Sequence, residues 1–312
     1  MSERLIPSEK SQNIEMSYLG DLRVLEAITT PSANRKTAVI FMGGGQRTIT
    51  SLGVADALVT TKIADNINYY IGTSAGAVIG YYLAANKIES LVDIMISDMA
   101  THRLINPRNL WQIVNVEVME HLLRNGRSID HTLVRNAKPE LFIGLTDMYG
   151  NSLFISAKEK ENIVPFLLAT LSHPLVTGGR GYFIEGQLLY DGCIASPLPL
   201  KHTITDLETT DILVVLTRSP FEKSKPGLAS ILERVNALSY GPALKNALQT
   251  YEGRLQLEFD HLKNFSQSSP AVRILTIFPQ SGNLHPLTMD VHKMMSAYLQ
   301  AKNFMLTLLS SK

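Results

Sequence analysis

The stretch Gly72-Thr73-Ser74-Ala75-Gly76 constrains this chain more than any other. It follows the apolar run Ile67–Ile71, which reads as a short buried strand, and precedes Ala77–Ala85, which reads as a buried helix. A strand that becomes a helix within five residues must turn sharply, and bulky side chains around the turn would block it. Gly72 and Gly76 remove them, and Ala75 and Ala77 keep the surroundings small. Gly-x-Ser-x-Gly in this setting is the pattern of a nucleophile elbow, with the serine hydroxyl raised above a sheet at the positive end of a helix. A serine that only caps its helix satisfies the same five residues, so the rest of the chain has to decide.

Upstream, Thr37–Met42 is a continuous apolar run, the mark of a strand buried on both faces. It ends in Gly43-Gly44-Gly45-Gln46-Arg47 and passes into a helix with apolar residues at Ile49, Leu52, Val54, Ala55 and Leu58. Strand, glycine loop, helix, strand, elbow, helix is a β-α-β-α order, which predicts a parallel sheet with helices packed on it. Further apolar runs predict strands at 140–146, 152–156, 182–185, 188–190, 211–217 and 271–278. Helical patterns cover 88–99, 111–123, 163–171 and 228–266, the last broken at Gly241-Pro242, and a closing helix at 289–309. The expected fold class is α/β, three layers around a mostly parallel sheet. Residues 1–35 read as an N-terminal arm and 36–312 as a single domain that includes a C-terminal helical closure at about 288–310.

Bulk properties narrow the function classes. A net charge of +1 gives no broad field for nucleic acid, so no nucleic-acid partner is expected. Cys193 is the one cysteine, which excludes an intrachain disulfide and a cysteine-rich zinc site. The N-terminus lacks the basic start and apolar core of a signal peptide, and no apolar run reaches the roughly 18 residues of a membrane span. The expectation is a soluble, cytoplasmic protein without metal or cofactor. The oligomeric state is not legible.

A serine hydroxyl becomes a nucleophile only with a base in reach and donors for the developing oxyanion. The glycine loop supplies the donors: three glycines let the backbone turn its N–H groups inward at a helix start, and Arg47 adds a full charge. The loop lacks the Gly-Lys-Ser/Thr of a phosphate loop, and Thr48 stands where a dinucleotide fingerprint needs glycine. Two bases remain open. An acid-then-histidine order is available in Asp191 followed by His285 or His292, and Asp191 alone closes an apolar strand with room beside it at Gly192.

Taken together, Gly43-Gly44-Gly45-Gln46-Arg47, Gly72–Gly76 and Asp191-Gly192 resemble, in order and spacing, the patatin-like phospholipases, and the glycine loop resembles that of a bacterial branch of the family. The resemblance spans roughly 37–217. It implies an acyl-ester hydrolase of phospholipase A or lysophospholipase type with a Ser74–Asp191 dyad and no histidine. Gly44 and Gly45, with Arg47, would hold the oxyanion, while Gly43, Gly72, Gly76 and Gly192 support the motifs. The implied partner is a lipid ester or phospholipid, reached by transient contact with a membrane surface. Two residues depart from the family pattern: Thr48 replaces a usual glycine and Cys193 a usual glycine or alanine. They motivate the alternative of a lipid-binding or regulatory protein with little turnover. Apolar neighbours Leu188, Leu189 and Tyr190 are expected to desolvate Asp191 and raise its basicity. Tyr81, Tyr82, Ile94, Met95, Trp111, Ile163 and Phe166 are groove candidates, each of which reads better as plain core.

Overall fold

The computed structural model describes residues 14–109, 112–126, 129–179, 181–222, 240–265, 271–281 and 284–311. Trp111 and the helical reading of 228–239 lie outside them.

Nine strands form one sheet: β1 (Glu15–Gly20), β2 (Thr37–Phe41), β3 (Tyr69–Thr73), β4 (Glu140–Asp147), β5 (Ser152–Ser156), β6 (Tyr182–Ile184), β7 (Gln187–Asp191), β8 (Asp211–Val215) and β9 (Arg273–Ser281). The order is β1-β9-β8-β2-β3-β4-β7-β6, with β5 also paired to β4. The five central strands, β9-β8-β2-β3-β4, run parallel. The margins are antiparallel: β1 on β9, β5 and β7 on β4, and β6 on β7. The expected α/β architecture is therefore present, with its parallel character confined to the centre. Residues expected only as an arm supply the edge strand β1 and helix α1 (Arg23–Thr29), whose Leu25 and Ile28 are buried as their helical spacing implies.

Both faces of the centre are covered, which is why its strands read as unbroken apolar runs. Val39 and Phe41 of β2 point into the larger core, shared with α2 (Ile49–Thr60), α3 (Ala75–Ala84), α4 (Ile88–Asp93), α7 (Val164–Thr170) and the closing helix. Ala38, Ile40 and Met42 point the other way, against Leu255, Phe259 and Leu262. Short helices α5 (Val116–His121) and α6 (His131–Arg135) flank the first face. After Gly241-Pro242 the chain forms α8 (Pro242–Gln249) and α9 (Tyr251–Phe265), and the closing helix is α10 (Val291–Ser310).

The closing helix is riveted to α2. A side chain at Gly53 would collide with the Tyr298 carbonyl, so the two helices approach at backbone distance. Beside that contact the nearly buried Asp56 accepts hydrogen bonds from the Tyr298 hydroxyl and, at 2.7 Å, from Lys302 Nζ. At the opposite margin of the strands, Asp211 is fully buried and paired with Arg35 at 2.9 Å and with Arg273.

Candidate active site

Ser74 sits between β3 and α3 with φ 52° and ψ −137°. An L residue holds a left-handed φ only when its surroundings over-determine it, at a cost of about 1–3 kcal/mol. Here they do. A Cβ on Gly72 would lie 2.5 Å from the Ala77 nitrogen, and one on Gly76 would lie 2.2 Å from the Phe41 carbonyl oxygen. The turn is therefore closed on both sides by backbone. Gly43, at the end of β2, abuts the serine: a side chain there would meet Ser74 Cβ at 2.8 Å.

Strand β4 brings Asp191 to Ser74. It pairs parallel with β3, Thr73 opposite Gly144, and antiparallel with β7, Leu145 opposite Asp191. Ser74 and Asp191 thus stand at the same end of β4, on either side of it. The strands close tightly here: Gly192 lies so near β4 that a Cβ would reach the Gly144 carbonyl oxygen at 2.1 Å.

Two buried threonines brace the pair. The Ser74 N–H donates to Thr170 Oγ1 at 2.8 Å, and that hydroxyl donates to the Gly144 carbonyl at 2.7 Å. The Thr146 hydroxyl donates to the Asp191 carbonyl at 2.8 Å and accepts from the Ala195 N–H at 3.1 Å. Neither threonine stood out in the sequence. Their one signal is a hydroxyl in an otherwise apolar run, Leu167-Leu168-Ala169-Thr170 and Ile143-Gly144-Leu145-Thr146.

Asp191 is 1% exposed. Its Oδ1 accepts from the Cys193 N–H at 2.9 Å. Burial pushes its carboxyl above the usual carboxylate range; His173, Cys193 and the neighbouring Ser74 hydroxyl pull the other way by favouring the charge. The direction agrees with the desolvation expected from the apolar end of β7. Burial, followed by the charge of Asp191, drives the Cys193 thiol well up, so it stays protonated and is no rival nucleophile. His285 and His292 are exposed and do not figure among the groups acting on Asp191. The histidine that does is His173, which sequence reasoning passed over.

The glycine loop lies on the other side of Ser74. Gly44 and Gly45 N–H groups find no acceptor among the described residues, whereas the next N–H, that of Gln46, donates to Pro286 O at 2.8 Å. Gly45 has φ 56°, and a Cβ there would strike the same Pro286 carbonyl oxygen at 2.5 Å. Gln46 Nε2 also donates to the Met99 carbonyl at 2.9 Å, where α4 has run on into a π-helical segment, Ile94–Met99. The loop is thus held from outside with two donors left over. Arg47 follows: its Nε is buried without a partner, and burial, then the charge of Arg218, lower its pKa. Glu222 and Glu252 act on it in the opposite sense, and a desolvated guanidinium with an unpartnered Nε favours an acceptor beside it. Thr48 adopts φ −64° and donates its hydroxyl to the Gly45 carbonyl at 2.7 Å, so the departure from glycine imposes no backbone strain. Among the groove candidates, Tyr81, Tyr82, Ile94, Met95, Ile163 and Phe166 are all core residues, at most 4% exposed.

The structure thus brings together a strand-end serine at a helix start, a buried carboxylate at the same strand end and a glycine loop with two free N–H groups, on an α/β sheet. The family model of the patatin-like phospholipases matches residues 39–204, more than half of the chain. The chain belongs to that family, whose members are lipid acyl hydrolases. Among solved structures, VipD from Legionella pneumophila is similar over 90% of this chain and 67% of that one, with 12% identity and a TM-score of 0.51, a likeness of fold. The type III effector protein ExoU is matched over 78% of this chain and 55% of that one, with 16% identity and a TM-score of 0.32. No curated protein sequence matches. Among the described residues no helix is long and apolar enough to cross a membrane.

Proposed function

We propose that the protein is a serine hydrolase of lipid esters, of phospholipase A or lysophospholipase type, working through a Ser74–Asp191 dyad and an acyl-enzyme. The observation that carries the reading is the buried Asp191 carboxyl, 1% exposed, which the register of β4 sets beside the strained Ser74 at the same strand end. In the first step Ser74 Oγ attacks the ester carbonyl carbon while its proton passes to the Asp191 carboxylate. The carbonyl π pair moves onto oxygen, where the free N–H groups of Gly44 and Gly45 receive it with Arg47 alongside. Collapse breaks the bond to the leaving alcohol, which takes the proton back from Asp191. In the second step water gives a proton to Asp191 as it attacks the acyl carbon; collapse then breaks the bond to Ser74 Oγ, which takes that proton back from Asp191, and the acid is released. Burial supports the assignment of the base, because a carboxylate at its reference pKa of about 4 is a weak one.

The lipid class follows from the family, and the phospholipid preference from the underused cation at Arg47. A fluorophosphonate probe tests the nucleophile: the intact protein becomes labelled and Ser74→Ala does not. Asp191→Asn should then lose turnover of phospholipid in mixed micelles. Unlabelled intact protein would sink the hydrolase reading and leave lipid binding without turnover.

A further inference from the structure

The parallel ladder between β2 and β8 stops at the edge of the site. Its register sets Phe41 beside Val215, and just past β2 the Met42 N–H still donates to the Val215 carbonyl at 3.0 Å. Parallel strands bond through every second residue, so the next N–H in line is that of Gly44, and its acceptor would be the Thr217 carbonyl. That bond is not made. Instead the Thr217 side chain reaches back, and its hydroxyl donates to the Gly43 carbonyl at 2.8 Å. Thr217 is buried and packs so closely that a Cβ on Gly44 would meet its Oγ1 at 2.6 Å.

The exchange turns a peptide over. In a trans peptide unit the C=O and the N–H that follows it point opposite ways. Were the strand to continue, the Gly43 carbonyl would point toward β3 and the Gly44 N–H toward β8. With its oxygen captured from the β8 side, the Gly43–Gly44 unit presents its N–H toward β3, because β2 lies between β8 and β3. Ser74 follows β3 directly, and a Cβ on Gly43 would lie 2.8 Å from Ser74 Cβ.

We propose that Thr217 is a positioning residue for the oxyanion: its hydroxyl holds this peptide turned over, and so aims the Gly44 N–H at the oxygen of an ester under attack by Ser74. The inference rests on Ser74 being the nucleophile. The rest of the loop fits it. The Gly44 carbonyl accepts from the Arg47 N–H at 3.2 Å, and the Gly45 carbonyl from the Thr48 hydroxyl at 2.7 Å. All three carbonyls of the glycine run are tied, while the N–H groups of Gly44 and Gly45 keep no acceptor among the described residues. The ties at Gly44 and Gly45 come from within the loop. The tie at Gly43 comes from the end of another strand, so it sets the loop against the sheet that carries Ser74. Without the Thr217 hydroxyl the buried Gly43 carbonyl is stranded. The unit then gains by swinging back into the ladder, which commits the Gly44 N–H to the Thr217 carbonyl and takes it from the site.

The test compares Thr217→Val, which keeps the side-chain shape, with Thr217→Ser, which keeps the hydroxyl, on a short p-nitrophenyl ester. Thr217→Val should lose about a hundredfold in kcat, the low end of what a lost oxyanion donor costs, with KM within about twofold. Thr217→Ser should stay within about threefold of wild type in both. A trifluoromethyl ketone of the same chain adds to Ser74 as an oxyanion, and its inhibition constant should weaken in Thr217→Val by the same factor as kcat/KM. A chain-matched ether forms no oxyanion, and its binding should not move. A Thr217→Val kcat within about twofold of wild type, or equal weakening of ketone and ether, would overturn the inference and leave Thr217 a packing residue. A second measurement needs no variant to fold. In the intact chain labelled at glycine, the Gly44 amide proton should move downfield in NMR when the ketone binds; an unmoved amide also overturns the inference. Intact protein that neither turns over the ester nor takes the fluorophosphonate would instead refute the hydrolase reading, so the two failures are separable.

Discussion

Removing one hydroxyl should disable the nucleophile without touching it. In Thr170→Val the side-chain shape is kept, but the group that accepts the Ser74 N–H at 2.8 Å and donates to the Gly144 carbonyl at 2.7 Å is gone. Thr170 is fully buried, so water cannot substitute for it. Each stranded backbone group costs about 1–3 kcal/mol, so the variant should lose about 2–6 kcal/mol of stability. The same bond helps to hold Ser74 at φ 52°. Once it is released the backbone can relax, and a displacement approaching 1 Å at a reacting atom costs about a hundredfold in rate. The expected result is a lower denaturant midpoint, a kcat reduced by about 10–100-fold and a KM little altered. Thr170→Ser, which restores the hydroxyl, should recover most of both. A Thr170→Val protein within about 0.5 kcal/mol of wild type, with kcat within about twofold, would refute the claim that this bond positions the nucleophile.

Three further outcomes follow from the same geometry. Because burial raises the Asp191 carboxyl in the folded state, the folded protein binds more protons than the unfolded chain between the two pKa values, and stability falls as pH rises through that window. Asp191→Asn should therefore melt higher than wild type at pH 8 and lose that advantage toward pH 4, as calorimetry at the two values would check. Gly43→Ala places a methyl 2.8 Å from Ser74 Cβ and should cut labelling of Ser74 by about a hundredfold while secondary structure by circular dichroism is retained. Asp211→Ala leaves the guanidiniums of Arg35 and Arg273 without their buried partner and should cost about 3–5 kcal/mol in urea unfolding.

How legible the molecule is from sequence depends on the range of the interaction concerned. The central strands and their helices are written locally, because a strand buried on both faces must be a continuous apolar run, as Thr37–Met42 and Asp211–Thr217 are. The elbow is local too, since its glycines answer to backbone within a few residues or on the adjacent strand. The antiparallel margins are less visible: β1 pairs with β9 from the far end of the chain, and its half-buried residues carry no unbroken apolar run. That Asp191 meets Ser74 is a matter of register on β4, which no local pattern encodes; the family resemblance proposed the pairing that spacing left open. Thr146 and Thr170 stayed hidden because a lone polar residue in an apolar run looks like tolerance, and only its partners reveal a task.

The glycine loop depends on a carbonyl supplied late in the chain. Pro286 O receives the Gln46 N–H and closes over Gly45, and the segment carrying it is tied down by α10, through Tyr298 and Lys302 on Asp56. A ribosome delivers Ser74 and Asp191 well before it delivers that clasp. On the proposed reading, the serine and the carboxylate emerge while the glycine loop is still unset, so the growing chain passes through a harmless stage and gains its activity only once α10 has docked.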